Sequence, residues 1–132
     1  MTSKNQTVLY VEDNPVNLDL VIRFLADYPD IDVLSSSNAE DGLLMIKNQP
    51  PDLILLDINL PGMSGYEMLA DLKGNEQSNK IPVVALTSNV MMQDIENGFD
   101  SGFDDYLTKP LDLEIFRMTV LGFLGMKDSD AI

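Results

Sequence analysis

Short apolar runs alternate with segments of helical spacing along almost the whole chain. Val8 to Val11, Ile31 to Leu34, Leu53 to Leu56, Val83 to Leu86 and a weaker Tyr106-Leu107 read as five strands. The third and fourth, in DLILLD and PVVALT, are apolar almost throughout, the pattern of central parallel strands covered by helices on both faces. After Asn14, Pro15 opens a helix in which Leu18, Val21, Ile22 and Leu25 recur at i, i+3, i+4 and i+7 before Pro29 stops it. Asn38 caps a second helix, with Asp41 three residues on and Ala39, Leu43 and Ile46 as its inward stripe. Ser64 caps a third that ends near Gly74. A fourth, roughly Met91 to Ser101, contains Gly98 and few strong helix formers, so it is expected to be the least rigid. Asp112 caps a fifth, which presents Leu113, Phe116, Val120 and Leu124 and ends around Gly125.

Five repeats of strand then helix predict an α/β fold with a parallel sheet, because parallel neighbours need crossovers and crossovers are nearly always right-handed. The expected strand order is 2-1-3-4-5. The 132 residues suit one domain with a core from about residue 7 to 125, polar tails at 1–6 and 127–132, and a surface loop at 74–80.

Composition narrows the chemistry. No run approaches the roughly 18 uncharged apolar residues that cross a bilayer, and the polar start is not a signal peptide, so a soluble cytoplasmic chain without membrane contact is expected. Cysteine and histidine are both absent, which removes disulfides, thiolate and Ser-His nucleophiles, the usual zinc sites and any phosphohistidine carrier role. A net charge of −14, from 22 acidic against 8 basic residues, argues against direct nucleic-acid binding. Carboxylates, hydroxyls, lysine and a hard metal ion remain.

Open parallel sheets bind ligands outside the carboxyl ends of their strands, near the point where strand order reverses. There the first strand ends in Glu12-Asp13, the third in Asp57 and the fourth in Thr87-Ser88, and the fifth runs into Lys109-Pro110. Any one of these carboxylates alone reads as a helix cap or a solvated loop residue. Three together repel unless one is protonated or a cation neutralises them. Oxygen ligands alone favour Mg²⁺ or Mn²⁺ over zinc, and magnesium commonly joins one or two carboxylates to a phosphate. Lys109 could bind a carboxylate at rest and a phosphoryl oxygen after transfer, and the Thr87 hydroxyl could donate to the same group.

TVLYVEDNPVN, DLILLDINLPGMSG, PVVALTSN and GFDDYLTKP resemble, in order and spacing, the four signature blocks of response-regulator receiver domains. Their wording is closest to receivers attached to or served by hybrid histidine kinases. The resemblance covers roughly residues 7 to 125. It implies the flavodoxin-like (βα)5 three-layer sandwich and a two-component phosphorelay switch with Asp57 as phosphoacceptor. By the same resemblance Asp13 and Asp57 would be direct ligands of Mg²⁺, joined by the backbone carbonyl of Asn59, with Glu12 acting through metal-bound water. Glu12 stands where many members have Asp, which leaves a direct contact open. Thr87, Ser88 and Lys109 would bind the phosphoryl group, Thr87 and Tyr106 would form the switch pair, and Lys109-Pro110 would be cis. Asn59 and Asn89 would tune phosphoryl lifetime.

The implied donor is a sensor histidine kinase or a histidine phosphotransfer protein. Output would pass to a downstream protein through the fourth helix, fifth strand and fifth helix, where Val90, Met91 and Met92 offer either apolar partner surface or core, and phosphorylation-linked homodimerisation stays open. Such a chain is no enzyme toward other substrates; it promotes only its own phosphorylation and dephosphorylation. Two rivals stand beside this reading. One is an aspartyl-phosphate phosphatase, disfavoured because Asn59 replaces the second Asp of a DxD motif. The other is an interaction module that no longer takes phosphate.

Overall fold

The computed structural model describes residues 5–60, 62–88, 102–127 and 131. Five strands form one parallel sheet: β1 (Gln6–Val11), β2 (Ile31–Ser36), β3 (Leu53–Asp57), β4 (Val83–Thr87) and β5 (Asp105–Thr108). Their order is β2-β1-β3-β4-β5, as expected. The described helices are α1 (Pro15–Leu25), α2 (Ala39–Asn48), α3 (Gly65–Lys73) and α4 (Leu113–Leu124). The last corresponds to the fifth helix expected from sequence. The expected fourth helix at 91–101, with Asn89, Val90, Met91 and Met92, lies outside the described residues.

The two-residue alternation of the strands builds two cores. Val8, Tyr10, Leu53, Leu55, Val84, Leu86 and Leu107 face one way and meet Val21 and Leu25 of α1 and Phe116, Val120 and Leu124 of α4. Leu9, Val11, Ile54, Leu56, Val83 and Ala85 face the other way and meet Ala39 and Ile46 of α2 and Met68, Leu69 and Leu72 of α3. The central strands β3 and β4 are buried at every residue, which explains their unbroken apolar runs.

The caps fall where the sequence puts them. Asn14 accepts from the Val16 amide, Asn38 from Asp41, Ser64 from Glu67 and Asp112 from Ile115. The α4 helix ends on Gly125 at φ 69°, a left-handed position that glycine takes without a Cβ penalty.

Three expectations need correction. Ile22 is 46% exposed, so the inward stripe of α1 is carried by Leu18, Val21 and Leu25. Leu113 is also exposed at the start of α4, while Leu121 takes a core position. Asn5 and Gln6 are not a free tail: Asn5 donates to the Pro29 carbonyl at 3.2 Å and Gln6 Nε2 to the Leu124 carbonyl at 2.6 Å. At the other end Ala131 packs against the first core. Polar side chains gave no apolar signal there, yet backbone pairing and long-range hydrogen bonds order the segment.

Candidate functional site

Chain direction and alternation assemble the site at the carboxyl edge. Glu12 follows the row of Val8 and Tyr10 just beyond β1, Asp57 ends the row of Leu53 and Leu55, and Lys109 follows Leu107 just beyond β5. All three therefore rise on the α1–α4 face. Thr87 continues instead the row of Val83 and Ala85, on the face against which Tyr106 packs. The backbone locks the strand ends together: Ile58 N donates to Leu86 O at 3.1 Å and Lys109 N to Thr87 O at 2.8 Å.

Of the residues expected at this edge, Glu12, Asp13, Asp57 and Lys109 come together. Lys109 Nζ donates to Glu12 Oε1 at 2.8 Å and to Asp57 Oδ2 at 3.1 Å. The other Asp57 oxygen, Oδ1, accepts from the Asn59 backbone amide at 2.9 Å. Glu12, Asp57 and Thr87 are buried, Asp13, Asn59 and Ser88 are exposed, and Tyr106 and Lys109 are half-buried. The Lys109-Pro110 peptide is cis. Gly65 admits α3 against this edge, since a Cβ there would stand 2.7 Å from the Ile58 Cα and 2.9 Å from the Asp57 carbonyl oxygen.

Two contributors were not read from the sequence. The buried Tyr10 hydroxyl donates to Glu12 Oε1 at 2.8 Å, and Asn17 Nδ2 donates to the same oxygen at 3.0 Å. The signal was present: Tyr10 and Glu12 are two apart along the extended chain that ends β1, and Asn17 lies in the first turn of the helix that follows.

Burial, then the neighbouring Glu12 carboxyl, pushes Asp57 above the ordinary carboxylate range, against the pull of the Asn59 amide and Lys109. Burial acts on Glu12 in the same direction but is outweighed by hydrogen bonds from Asp57, Lys109 and Tyr10, which hold it below that range. Lys109 stays above its usual value because the hydrogen bond to Glu12 and the charge of Asp57 overcome its desolvation. The Tyr10 hydroxyl is pushed up by burial and by Glu12. The site thus carries more negative charge than its lysine offsets.

Glu12, Asp13 and Asp57 each offer one oxygen, all within 4.8 Å of one another. The donor set is oxygen only, one side is open to solvent, and excess negative charge surrounds it. These residues fit a hard divalent cation.

The response regulator receiver domain profile matches residues 8–120. The chain belongs to the receiver domain family. The receiver is 34% identical over 120 residues to the polar-differentiation response regulator DivK of Brucella anthropi, covering 91% of this chain and 97% of that protein. It is 34% identical over 129 residues to the sensor histidine kinase GacS of Pseudomonas protegens, covering 96% of this chain and 14% of that protein. The chain spans half or less of the length of other curated relatives as well. Among solved structures it overlays, at TM-score 0.82 and 30% identity, on the receiver domain of the sensor histidine kinase PA1611 from Pseudomonas aeruginosa PAO1, covering 92% and 98% of the two chains. That structure holds magnesium coordinated in its active-site cleft. The fold is flavodoxin-like and the chain is a receiver of two-component signalling. Among the described residues no helix is long and apolar enough to cross a membrane.

Proposed function

We propose that this receiver is a phosphoacceptor switch whose Asp57 takes a phosphoryl group from phosphohistidine on a sensor kinase or phosphotransfer protein. The observation that carries the reading is the Lys109 ammonium held between Glu12 and Asp57, with Asp13 at the open rim. An Asp57 carboxylate oxygen attacks phosphorus in line, the phosphorus–nitrogen bond breaks with its electron pair staying on the ring nitrogen, and the donor histidine, protonated on its other nitrogen, leaves as neutral imidazole. Lys109 exchanges its carboxylate contact for a phosphoryl oxygen, with Thr87 and Ser88 as further donors. Asp13, Asp57 and the Asn59 carbonyl would hold Mg²⁺, or Mn²⁺ in its place, with Glu12 reaching it through water. When bound, the ion offsets charge on the phosphoryl oxygens. With water in place of the imidazole the same groups promote hydrolysis, tuned by Asn59 and Asn89.

Thr87 and Tyr106 share the α2–α3 face of neighbouring strands, and this placement supports their reading as a switch pair. Movement of Thr87 toward a phosphoryl group would change the packing of Tyr106 and pass to the fourth predicted helix, β5 and α4, where a partner protein reads it.

Intact-mass analysis after incubation with acetyl phosphate tests the reading. One added phosphoryl group, labile to hydroxylamine, dependent on Mg²⁺ and absent from Asp57→Asn, is the expected result. No adduct and no Mg²⁺ uptake would favour the interaction module instead. Amide exchange over β4 and β5 that is identical with and without the adduct would overturn the switch.

A further inference from the structure

Among the described contacts, three donors converge on one oxygen of Glu12: the Tyr10 hydroxyl, Asn17 Nδ2 and Lys109 Nζ, at 2.8 to 3.0 Å. A carboxylate oxygen offers about two lone-pair sites, so Oε1 is filled by protein and cannot turn to a cation without orphaning a donor. Orphaning Tyr10 would be costly, because its side chain is fully buried and water cannot take the place of its acceptor. Lys109 supplies the charge compensation. The two neutral donors therefore do something else: they set which way the carboxylate faces. Both stand on rigid supports, Tyr10 inside β1 and Asn17 in the first turn of α1 behind the Asn14 cap.

We propose that Tyr10 and Asn17 are positioning residues that commit Glu12 Oε1 to the protein and leave Oε2 as the one oxygen Glu12 presents to a divalent cation or to its bound water. The inference rests on the Mg²⁺-dependent reading of the site. It also gives the glutamate a reason. An aspartate at position 12 would draw the carboxylate back by about 1.5 Å, one carbon–carbon bond, and out of reach of the Tyr10 hydroxyl. The Tyr10–Glu12 pair is then a unit, and removing either member should cancel the effect of removing the other.

The test is a double-mutant cycle on the full chain. Mg²⁺ is titrated by calorimetry, and acetyl phosphate labelling is followed against Mg²⁺ concentration. Tyr10→Phe and Asn17→Leu are each compared in the native and the Glu12→Asp backgrounds. In the native background each single change is expected to raise the half-saturating Mg²⁺ concentration by about tenfold, the lower end for groups that orient metal ligands. The labelling rate at saturating Mg²⁺ should stay within about twofold. In the Glu12→Asp background Tyr10→Phe should move half-saturation by less than about twofold, because the interaction it removes no longer exists. An equal effect in both backgrounds, or none in the native one, overturns the proposal, and Asn17→Leu decides it if Tyr10→Phe does not fold. An unsubstituted chain that takes up no Mg²⁺ overturns the underlying reading and the proposal together, before any variant is measured.

Discussion

Both edges of the sheet carry carboxylates, and they do different work. At the amino edge Asp52 Oδ2 accepts from the Thr7 amide at 2.7 Å and Asp104 Oδ2 from the Val83 amide at 2.8 Å. Each is exposed and ties the start of one strand to its neighbour, and Asp104 also faces the Lys73 ammonium at 3.9 Å. At the carboxyl edge Glu12 and Asp57 are buried, lie against each other, and share one lysine, with Asp13 beside them. Acidity is common to both edges. What separates a structural carboxylate from a chemical one is crowding in a place that water cannot screen: neighbouring charges shift one another's protonation and leave a deficit of positive charge for a cation and a phosphoryl group to exploit.

The largest effect should come from removing the lysine. Lys109→Met leaves two buried carboxylates without their ammonium, and breaking such a buried pair is expected to cost about 3 kcal/mol of unfolding free energy in metal-free buffer, read by urea denaturation. Added Mg²⁺ should restore part of that stability, while phosphoryl uptake from acetyl phosphate stays slower by about a hundredfold or more. A Lys109→Met chain as stable and as readily labelled as the native one would erase the distinction between the two edges.

The opposite sign is expected from Asp57→Asn. The Asp57 carboxyl, pushed from 3.8 up to about 6 by burial and by Glu12, binds its proton more tightly in the folded chain than in the unfolded one. Between these values the folded state holds more protons, so this group's contribution to stability falls as pH rises. Glu12 runs the other way: lowered from 4.5 to about 2, it contributes stability above the first value that is lost as pH falls toward the second. Asp57→Asn should therefore abolish labelling yet raise metal-free stability at pH 7.5 by about 2 kcal/mol, and by less at pH 5. A loss of stability at pH 7.5 would show that the native pair is relaxed rather than crowded.

The central strands and the helix caps could be read directly, because β3 and β4 are apolar throughout and each cap is a short polar side chain ahead of a periodic stretch. The ends of the edge strands could not. Gln6, Thr7, Ser35 and Ser36 are extended because they pair in register across β1 and β2, which depends on backbone groups that side-chain hydropathy does not report. The site was legible to the extent that strand direction collects strand ends on one edge. Tyr10 was passed over because an aromatic residue inside an apolar strand looks like core; its ring is core, and only its hydroxyl belongs to the site. Ile22 has the opposite history, an apolar residue at helical spacing that stays exposed since α1 buries a narrower stripe than its sequence offers.

The smallest effect should come from the amino edge, and it is the control that gives the others meaning. Asp52 and Thr7 form a reciprocal pair, with Asp52 N donating to Thr7 O at 2.8 Å while the Asp52 carboxylate accepts from the Thr7 amide. Asp52→Ala removes the side-chain acceptor but leaves the backbone bond, and solvent can reach the orphaned amide, so the expected loss is about 1 kcal/mol. Asp52→Asn keeps an acceptor oxygen and should recover most of it. Both variants should match the native chain in half-saturating Mg²⁺ and in labelling by acetyl phosphate, because Asp52 sits at the far end of β3 from Asp57. If either variant shifts Mg²⁺ affinity, the two edges are coupled through β3, and the chemistry at Asp57 depends on how the strand is anchored as well as on the groups around it.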